Sequence, residues 1–440
     1  MLYTNKDLRK LIIPLVLEQL LAILVGMVDT VMIAGVGEAA VSGVSLVDTI
    51  NILIINITAA LATGGAVVAG HFLGQKDSAN ASKSAWQLVL FSIWLSVIVT
   101  IVFMAAHRPL LSAIFGQVEA EVMESATTYL VITAISICPL AIYNSCAALF
   151  RAMNDSKTTM LIAIVMNLIN LVGNAILIYG VKIGVAGAAI ATTLSRIVAA
   201  AIILFLMFHM EKEINFKGQA TWRVDLTLVK KILYIGIPNG MENSLFQLGK
   251  ILLLSLISTF GTYAIAANAV CNTLASFNVL PGQAINLALL SVASMCIGAG
   301  DYEQVRYYTK KLMWIAISFT AALSVVIVAF SPWILKIYQL TPQTESLAIE
   351  TLRWHAVLAV FFWVPSFTLP NTLRAAGDVI WSMMIAIVSM WVFRIGFAYI
   401  FSYYFAGGLL GVWIAMTIDW AFRAICYGIR YHGHKWERFV

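Results

Sequence analysis

Residues 11–35 read LIIPLVLEQLLAILVGMVDTVMIAG, an apolar run that holds two carboxylates, Glu18 and Asp29, and no basic side chain. A helix of about 20 apolar residues crosses the hydrocarbon core of a bilayer, so this run is long enough to span it. Only helices and closed barrels satisfy their own backbone groups in lipid, and the strict alternation of a barrel strand is absent. The run therefore predicts a transmembrane helix that carries acidic groups.

Eleven further apolar blocks follow the first one, separated by charges, glycine and proline. The twelve blocks cover about 9–36, 39–73, 83–107, 122–148, 158–180, 185–209, 228–259, 262–297, 306–330, 346–372, 379–403 and 407–430. Hydrophobic residues make up 61% of the 440-residue chain and charged residues only 11%, against about 25% charged in soluble domains. This composition excludes a soluble enzyme, a disordered chain and a disulfide scaffold. We expect an all-α integral membrane protein with twelve transmembrane helices.

Basic residues are distributed unevenly between the segments that join the blocks. With both termini on the inner side, 20 of the 27 lysines and arginines, Arg423 among them, fall in inner segments or at the inner ends of blocks. Four fall in outer segments or at the outer ends of blocks, and three lie deeper inside apolar blocks. Cytoplasmic loops carry the excess of Lys and Arg, so the bias predicts a multi-pass protein of the cell membrane with both termini in the cytoplasm. The net charge of +6 then belongs to loops that face anionic membrane lipid, and no nucleic-acid partner is indicated.

The residues that usually carry metal, redox or hydrolytic chemistry are not grouped in this sequence. The five cysteines lie in or at the ends of apolar blocks, and the sequence has no CxxC motif and no Cys/His cluster. It also lacks a GxSxG motif and paired catalytic acids on adjacent blocks. We therefore expect no enzyme, no metal site and no bound cofactor.

The second half of the chain repeats the first half. Positions that correspond at a shift of 224 residues include Pro14 and Pro238, Glu18 and Glu242, Asp48 and Asn272, and Thr49 and Thr273. The repeat predicts an N-terminal six-helix lobe at 1–209, a cytoplasmic linker at 210–227 and a C-terminal six-helix lobe at 228–440. Six is an even number, so both lobes enter the membrane from the same side and the repeat is parallel. Two such bundles suggest a central cleft that rocking would expose to each side in turn, as in transporters.

Glu18 and Asp29 lie on one face of the first predicted helix. They are eleven residues apart, so their directions differ by only about 20° at 100° per residue. An ionisable group in a spanning helix costs about 2.5–3.5 kcal/mol, so we expect both to face the interior of the bundle. Burial favours the protonated form of a carboxyl group, which would let Asp29 take up and release a proton or a sodium ion. Alternatively, neighbouring Asn and Thr side chains cap the carboxylate and it only fixes helix packing.

Polar side chains in the fifth and sixth blocks are candidates to complete a cation site. Asn170 and Asn174 are four residues apart and share one helix face, and Thr192 and Thr193 lie deeper in the same half. Uncharged amides and hydroxyls suit sodium or a shared proton, so a Na⁺ site at Asp29, Asn170 and Asn174 is one candidate. The same groups could instead form interhelical hydrogen bonds without binding an ion.

Glu242 has a second candidate role at the inner mouth of the cleft. Like Glu18, it follows a proline by four residues, and the two acids together could attract a cationic substrate or the coupling ion. Alternatively, each acid and the amide beside it satisfy backbone groups that the proline frees. We also assign to the cleft Gln247, the intramembrane acid Asp48 and its repeat counterpart Asn272.

Arg394 and Asp419 are predicted to form a buried ion pair. Arg394 lies about 15 residues into the eleventh block from the inside, and Asp419 lies about 12 residues into the twelfth block from the outside. Both positions reach the middle of the membrane on consecutive, antiparallel helices. Such a pair mainly avoids the larger penalty of two isolated buried charges, so we expect its role to be structural.

Four motifs resemble those of the multidrug and toxic compound extrusion family. They are VDT at 28–30 followed by GxAA at 37–40, LFRAMND at 149–155, NAILIYG at 174–180 and LRAAGD at 373–378. The resemblance covers nearly the whole chain and implies two bundles around a V-shaped cleft. It also implies an antiporter that exports organic cations and drugs against an inward flow of H⁺ or Na⁺. By the same resemblance Asp29 serves cation coupling, with Asn170 and Asn174 near it.

The resemblance to the family is incomplete in the second half. One branch carries a glutamate deeper in its seventh helix, where this chain has Phe246-Gln247, and an aspartate on its tenth, where this chain has residues 361–365. These differences favour coupling through the first half. The alternative function is a lipid-linked oligosaccharide or lipid flippase of the related superfamily. A flippase that binds pyrophosphate should line its cleft with Arg and Lys, whereas acids outnumber bases inside the membrane here. We expect a monomer whose partners are small organic cations and membrane lipid.

Overall fold

The computed structural model describes residues 2–116, 119–405 and 407–438, and the regular structure in these ranges is helical. The first seven helices are α1 Asn5–Ala34, α2 Glu38–Gly74, α3 Ser78–Phe115, α4 Ala120–Ala134, α5 Ile137–Ala152, α6 Ser156–Asn174 and α7 Gly184–His209. The next eight are α8 Leu226–Ser258, α9 Thr262–Gly298, α10 Tyr302–Lys336, α11 Pro342–Leu358, α12 Val364–Ala375, α13 Val379–Val388, α14 Phe397–Tyr403 and α15 Gly408–His432. Three π-helical segments continue or join them, at Ala175–Gly180, Ala359–Trp363 and Ser389–Gly396, and a 3₁₀ turn covers Lys435–Arg438.

The helices form spans of the predicted length. Within the described ranges, ten helices or joined helices are long and apolar enough to cross a membrane, and α4 with α5, bent by 51°, would make an eleventh. The predicted seventh block corresponds to α8, which is 33 residues long but is not among these spans. The middle of α8 has no long apolar run, because it is interrupted by Asn239, Glu242, Asn243, Gln247 and Lys250. The all-helical membrane fold is therefore confirmed, whereas length and apolar composition support ten or eleven spans and not the twelve expected.

The packing divides the chain into two compact units. The first unit is Asn5–Gly240, and the second is Met241–Val440 together with the residues up to Thr4. The boundary falls inside α8, because the first part of this helix packs closely on α2. A Cβ atom on Gly64 would lie only 2.4 Å from the carbonyl oxygen of Ile232, so this contact requires glycine. The lobe boundaries inferred from the repeat, at 209 and 228, stay a prediction.

The polar linker packs against the first unit. Trp86 on α3 donates through Nε1 to the carbonyl oxygen of Thr221 at 2.8 Å. Lys83 on the same helix forms an ion pair with Asp225, with Nζ 2.6 Å from Oδ2. Hydrogen bonds and this ion pair thus connect the linker to the first turns of α3.

Aspartates in three of the loops cap the helices that follow them. The backbone donors and aspartate acceptors are Asn80 to Asp77 at 3.0 Å, Thr158 to Asp155 at 3.2 Å, and Gln304 to Asp301 at 3.0 Å. The backbone N–H bonds of Asn80 and Gln304 hold the pKa of Asp77 and Asp301 below the ordinary value. These repeated acids therefore have a structural role as N-caps.

Candidate functional site

A cavity of about 270 Å³ lies inside the first unit, bordered by α1, α2, α4, α6 and α7. Its polar lining consists of Asp29, Thr30, Ser45, Asp48, Tyr129, Asn167, Asn170, Asn174, Thr192, Ser195 and Arg196. At about 30 Å³ per water, the volume is enough for several waters or a partly hydrated ion. The sequence-predicted residues Asp29, Asn170 and Asn174 are thus brought to one site.

Helix geometry places these three side chains together. Asp29 lies five residues before the end of α1. Asn170 and Asn174, one turn apart on α6, are 6% and 1% exposed. The α-helical hydrogen-bond pattern of α6 ends at Asn174 and continues as the π-helical segment Ala175–Gly180. The two amides therefore point from one buried face of α6 towards α1.

Hydrogen bonds hold the Asp29 carboxylate in the cavity. Asn174 Nδ2 donates to Asp29 Oδ1 at 2.9 Å. With its nitrogen turned towards Asp29, the amide of Asn170 donates to both carboxylate oxygens, at 2.9 and 3.0 Å, and accepts from the Thr192 hydroxyl at 3.1 Å. An ionised carboxylate accepts and cannot donate, so this is the orientation of Asn170 that suits a charged Asp29.

The opposite orientation of Asn170 suits a neutralised Asp29. Asn170 Nδ2 then donates to Thr192 Oγ1 at 3.1 Å, and its oxygen faces the carboxyl group. That arrangement is favourable when Asp29 carries a proton to donate, or when a cation lies between the two oxygens. The orientation of the Asn170 amide therefore depends on the charge of Asp29.

One acceptor in the cavity has no donor. Asn174 Oδ1 is buried, and no group in the described ranges donates a hydrogen bond to it. An unsatisfied buried acceptor costs about 1–3 kcal/mol, so a water or a cation in the cavity would be stabilised there. The Asp29 carboxylate, the two amide oxygens and the Thr192 hydroxyl are oxygen ligands of the kind that hard cations take. The donor set fits Na⁺ as well as a proton.

Asp48 and Arg196 also line this cavity. We assigned Asp48 to the cleft from the sequence, and the structure places it beside the Asp29 site, where Asn51 Nδ2 lies 3.5 Å from its Oδ1. Arg196 donates through Nη1 to the Ser136 hydroxyl at 2.8 Å. The cavity therefore holds two carboxylates and one guanidinium group. The sequence showed Arg196 as an intramembrane base but did not indicate which acids lie near it.

Thr192 and Thr193 are separated by the rotation of α7. Thr192 lines the cavity and bonds to Asn170, whereas Thr193 donates to the carbonyl oxygen of Ile132 at 3.1 Å and is not part of the cavity lining. From the sequence we considered both threonines and predicted Thr193 as the one that takes part in cation coupling. The structure places Thr192, one position earlier, in the candidate site instead.

Glu18 and Glu242 each have an arginine partner from the repeated inner-loop motif. Glu18 Oε1 lies 3.6 Å from Arg151 Nη1, and its other oxygen accepts from Thr159 at 3.1 Å. Arg374 donates through Nη2 to both oxygens of Glu242, at 2.8 and 2.7 Å. Both glutamates lie outside the cavity lining, and these contacts satisfy their carboxylates within their own units.

The other two residues assigned to the cleft, Gln247 and Asn272, lie on α8 and α9 of the second unit. Asn272 donates through Nδ2 to the carbonyl oxygen of Asn268 at 2.9 Å, a contact within its own helix. Neither side chain belongs to the Asp29 cavity.

Asp419 contacts two arginines. Arg394 Nε lies 3.0 Å from Oδ2, and Arg423 Nε donates to Oδ1 at 3.1 Å. All three side chains are at most 4% exposed, and the Ser389 hydroxyl also bonds to Asp419. We had counted Arg423 with the inner bases, but it lies within α15, which extends to His432, one turn after Asp419. The i,i+4 spacing of Asp419 and Arg423 was the sequence signal for this contact.

Comparison with known proteins identifies two copies of one family domain. The chain matches the MatE family model at residues 14–176 and 238–400, and the two matches begin 224 residues apart, the shift of the internal repeat. The probable multidrug resistance protein NorM of Thermotoga maritima is 27% identical over 99% of this chain and 93% of its own length. The probable multidrug resistance protein YoeA of Bacillus subtilis is 26% identical over 97% of this chain and 93% of its own.

Solved structures share the fold. An outward-facing MATE family multidrug resistance transporter of the MOP superfamily has a TM-score of 0.91 at 23% identity, over 98% of this chain and 96% of that one. A MATE protein in the bent conformation has a TM-score of 0.90 at 23% identity, over 99% and 96%. With the family match covering both halves, the chain belongs to the MATE family of multidrug efflux transporters, a family of multi-pass membrane transporters and not of enzymes.

Proposed function

We propose that this protein exports organic cations and drugs across the cell membrane in exchange for H⁺ or Na⁺, by alternating access of its two lobes. The observation that carries the proposal is the Asp29 site, a partly buried carboxylate held by two amides beside an acceptor that has no donor. An acid in a spanning helix is costly unless it binds something or is paired. Asp29 has amide partners, and in the described ranges no basic side chain lies within ion-pair distance of it.

The contacts of Asp29 suggest how ion binding changes the protein. Charged Asp29 accepts hydrogen bonds from Asn174 and Asn170, which connects α1 to α6. Protonation removes the charge that these donors stabilise, and a bound Na⁺ compensates it while it takes the free oxygen of Asn174 as a ligand. In both cases Asn170 turns, its bond to Thr192 reverses direction, and the contact between α1 and α6 changes. A change of one charge thus alters helix packing, which is the step that alternating access needs.

Two further observations support an acidic, cation-selective site. The cavity holds two carboxylates against one guanidinium group, so with both acids ionised it has a net charge of −1. The relatives NorM and YoeA are described as probable multidrug resistance proteins, which supports drugs as the exported class. We propose further that the protein needs no bound cofactor, works as a monomer and has both termini in the cytoplasm, as the excess of basic residues in inner segments predicts.

A lipid flippase is the second candidate, and the second unit argues against it. A cleft that binds pyrophosphate would need several accessible basic side chains, whereas Arg394 and Arg423 of the second unit are buried and paired with Asp419, which leaves Lys250 as the exposed base of this group.

The test is dye efflux from proteoliposomes that carry either a proton gradient or a sodium gradient. We expect one gradient to drive efflux of a cationic dye, and Asp29→Asn to abolish the driven component because the carboxylate can no longer be neutralised. Glu350→Gln is the control, since it removes an exposed acid outside the cavity. Gradient-driven efflux that survives in Asp29→Asn would contradict the coupling role.

A further inference from the structure

Positive side chains of the second unit surround one aromatic ring that the proposed coupling site does not use. Measured to the Phe246 ring centroid, Lys250 Nζ lies at 5.1 Å, Arg394 Cζ at 5.0 Å and Arg423 Cζ at 5.6 Å. We call these residues and Asp419 the Phe246 cluster. Among the described residues, Asp419 is the acid in ion-pair contact with the cluster, and it contacts the two arginines but not Lys250. Three cations therefore lie around the ring, and the one carboxylate is paired with only two of them.

Glu242 does not neutralise the excess charge. It lies one turn before Phe246 on α8 and acts electrostatically on Arg423. Both of its oxygens, however, accept from Arg374 Nη2, at 2.8 and 2.7 Å, so the pair contributes no net charge. The Phe246 cluster thus keeps a net charge of about +2 when all its groups are ionised.

Lys250 is the accessible end of the cluster. Its side chain is exposed, and on the helix it lies within about 60° of Asn243 and Gln247, which form a polar stripe along α8. Contact between lipid tails and a stripe of two amides and a lysine would be energetically unfavourable. The ammonium group of Lys250 can therefore be reached from the polar side of this helix.

The Lys250 side chain is not extended in the direction that snorkelling would require. A snorkelling lysine extends towards the nearer headgroups, which here are beyond the end of α8 at Ser258. Lys250 instead lies over Phe246, one turn further from that end. The contact with the ring would offset about 0.5–2 kcal/mol of the cost of an ionised side chain in a spanning helix, which reaches about 2.5–3.5 kcal/mol at the helix centre.

We propose that Lys250 and Phe246 form a binding site for an oxyanion attached to an apolar, preferably aromatic, group. The ammonium group pairs with the oxyanion, and the Phe246 ring contacts the apolar part. Arg394 and Arg423, which also lie near the ring, add to the attraction for the anion. The oxyanion comes either from a small organic carboxylate or from the phosphate of an anionic lipid. This site is separate from the Asp29 cavity, and the proposal does not depend on cation coupling.

The test is binding of 2-naphthoate to the purified full chain in phosphatidylcholine nanodiscs. We expect Lys250→Gln to weaken binding about tenfold, because a charge-assisted bond is lost, and Lys250→Arg to retain it. Lys231→Gln is the matched control, since Lys231 lies on the same helix with Nζ 5.9 Å from the Phe72 ring. The neutral 2-naphthamide should bind equally to the protein with and without Lys250.

Adding phosphatidylglycerol to the nanodiscs shows whether the natural oxyanion is a small carboxylate or the phosphate of an anionic lipid. If a small carboxylate is the natural ligand, naphthoate binding stays unchanged as this lipid is added. If the lipid phosphate occupies the site, phosphatidylglycerol displaces naphthoate, and native mass spectrometry shows lipid retention that Lys250→Gln abolishes. The proposal is overturned if neither ligand depends on Lys250, or if Lys231→Gln weakens binding as much as Lys250→Gln.

Discussion

Replacing Asp419 by leucine tests whether the two buried arginines depend on one carboxylate. Arg394 and Arg423 are 4% and 2% exposed, and Asp419 is fully buried between them. Removing one partner of a buried ion pair costs about 3–5 kcal/mol, because the remaining charge has no water to solvate it. Here two buried charges would remain, so we expect Asp419→Leu to lower the free energy of unfolding by at least that amount.

The corresponding fall in melting temperature can be worked out for the second unit. Its main segment, Met241–Val440, has 200 residues. An unfolding entropy of about 2.1 cal/mol/K per residue gives about 0.4 kcal/mol per degree. If this unit unfolds cooperatively, a loss of about 3–5 kcal/mol lowers Tm by roughly 7–12 °C. Fluorescence-detected size exclusion of heated, detergent-purified protein measures this shift.

Two further variants separate charge balance from packing. Arg394→Met, Asp419→Leu and Arg423→Met together remove every charge, so we expect this triple variant to recover most of the lost Tm. Exchanging Arg394 and Asp419 should not recover it, because the exchange places a guanidinium group one turn from Arg423. A fall of less than about 2 °C in Asp419→Leu, or a triple variant as unstable as the single one, would refute the reasoning.

Two more predictions concern the coupling site and the inner loops. Thr192→Val should lower gradient-driven efflux about tenfold, since it removes the hydroxyl that bonds to Asn170. Thr193→Val should not lower it, because the Thr193 hydroxyl bonds to a backbone carbonyl outside the cavity. Equal effects of the two variants in the same proteoliposome assay would contradict the assignment. At Asp155 burial raises the pKa, but bonds from Lys212 and Thr158 outweigh it and hold the pKa below the ordinary 3.8. The charged form therefore stabilises the fold above about pH 4, and this contribution is lost as the pH falls through the depressed pKa. At pH 7 Asp155→Asn should have a lower Tm than the native chain, and well below pH 4 the two Tm values should be equal. A Tm difference between them that does not change with pH would contradict this.

From the sequence we could identify the charged and polar residues of the candidate sites, but for most of them not the residues that they contact. Asp29 and Asn174 are 145 positions apart. The polar side chains of the fifth and sixth blocks and the resemblance to the family both suggested a common site, but neither gave the contact between these two residues. For Glu18 and Glu242, the sequence showed that the two are equivalent. The arginines that pair with them, Arg151 and Arg374, appeared only as parts of loop motifs.

The sequence by itself determined the membrane class, the helical fold and the two-fold repeat. Long apolar runs in lipid are almost always helical, because the backbone N–H and C=O groups find no water there and must bond to each other within the helix. Tertiary structure decided which of two adjacent threonines lines the cavity and that Arg423 shares Asp419 with Arg394. A helix turns by 100° per residue, and only its packing against neighbouring helices fixes which side chain faces inwards. The local sequence alone does not specify how a helix is rotated about its own axis relative to its neighbours.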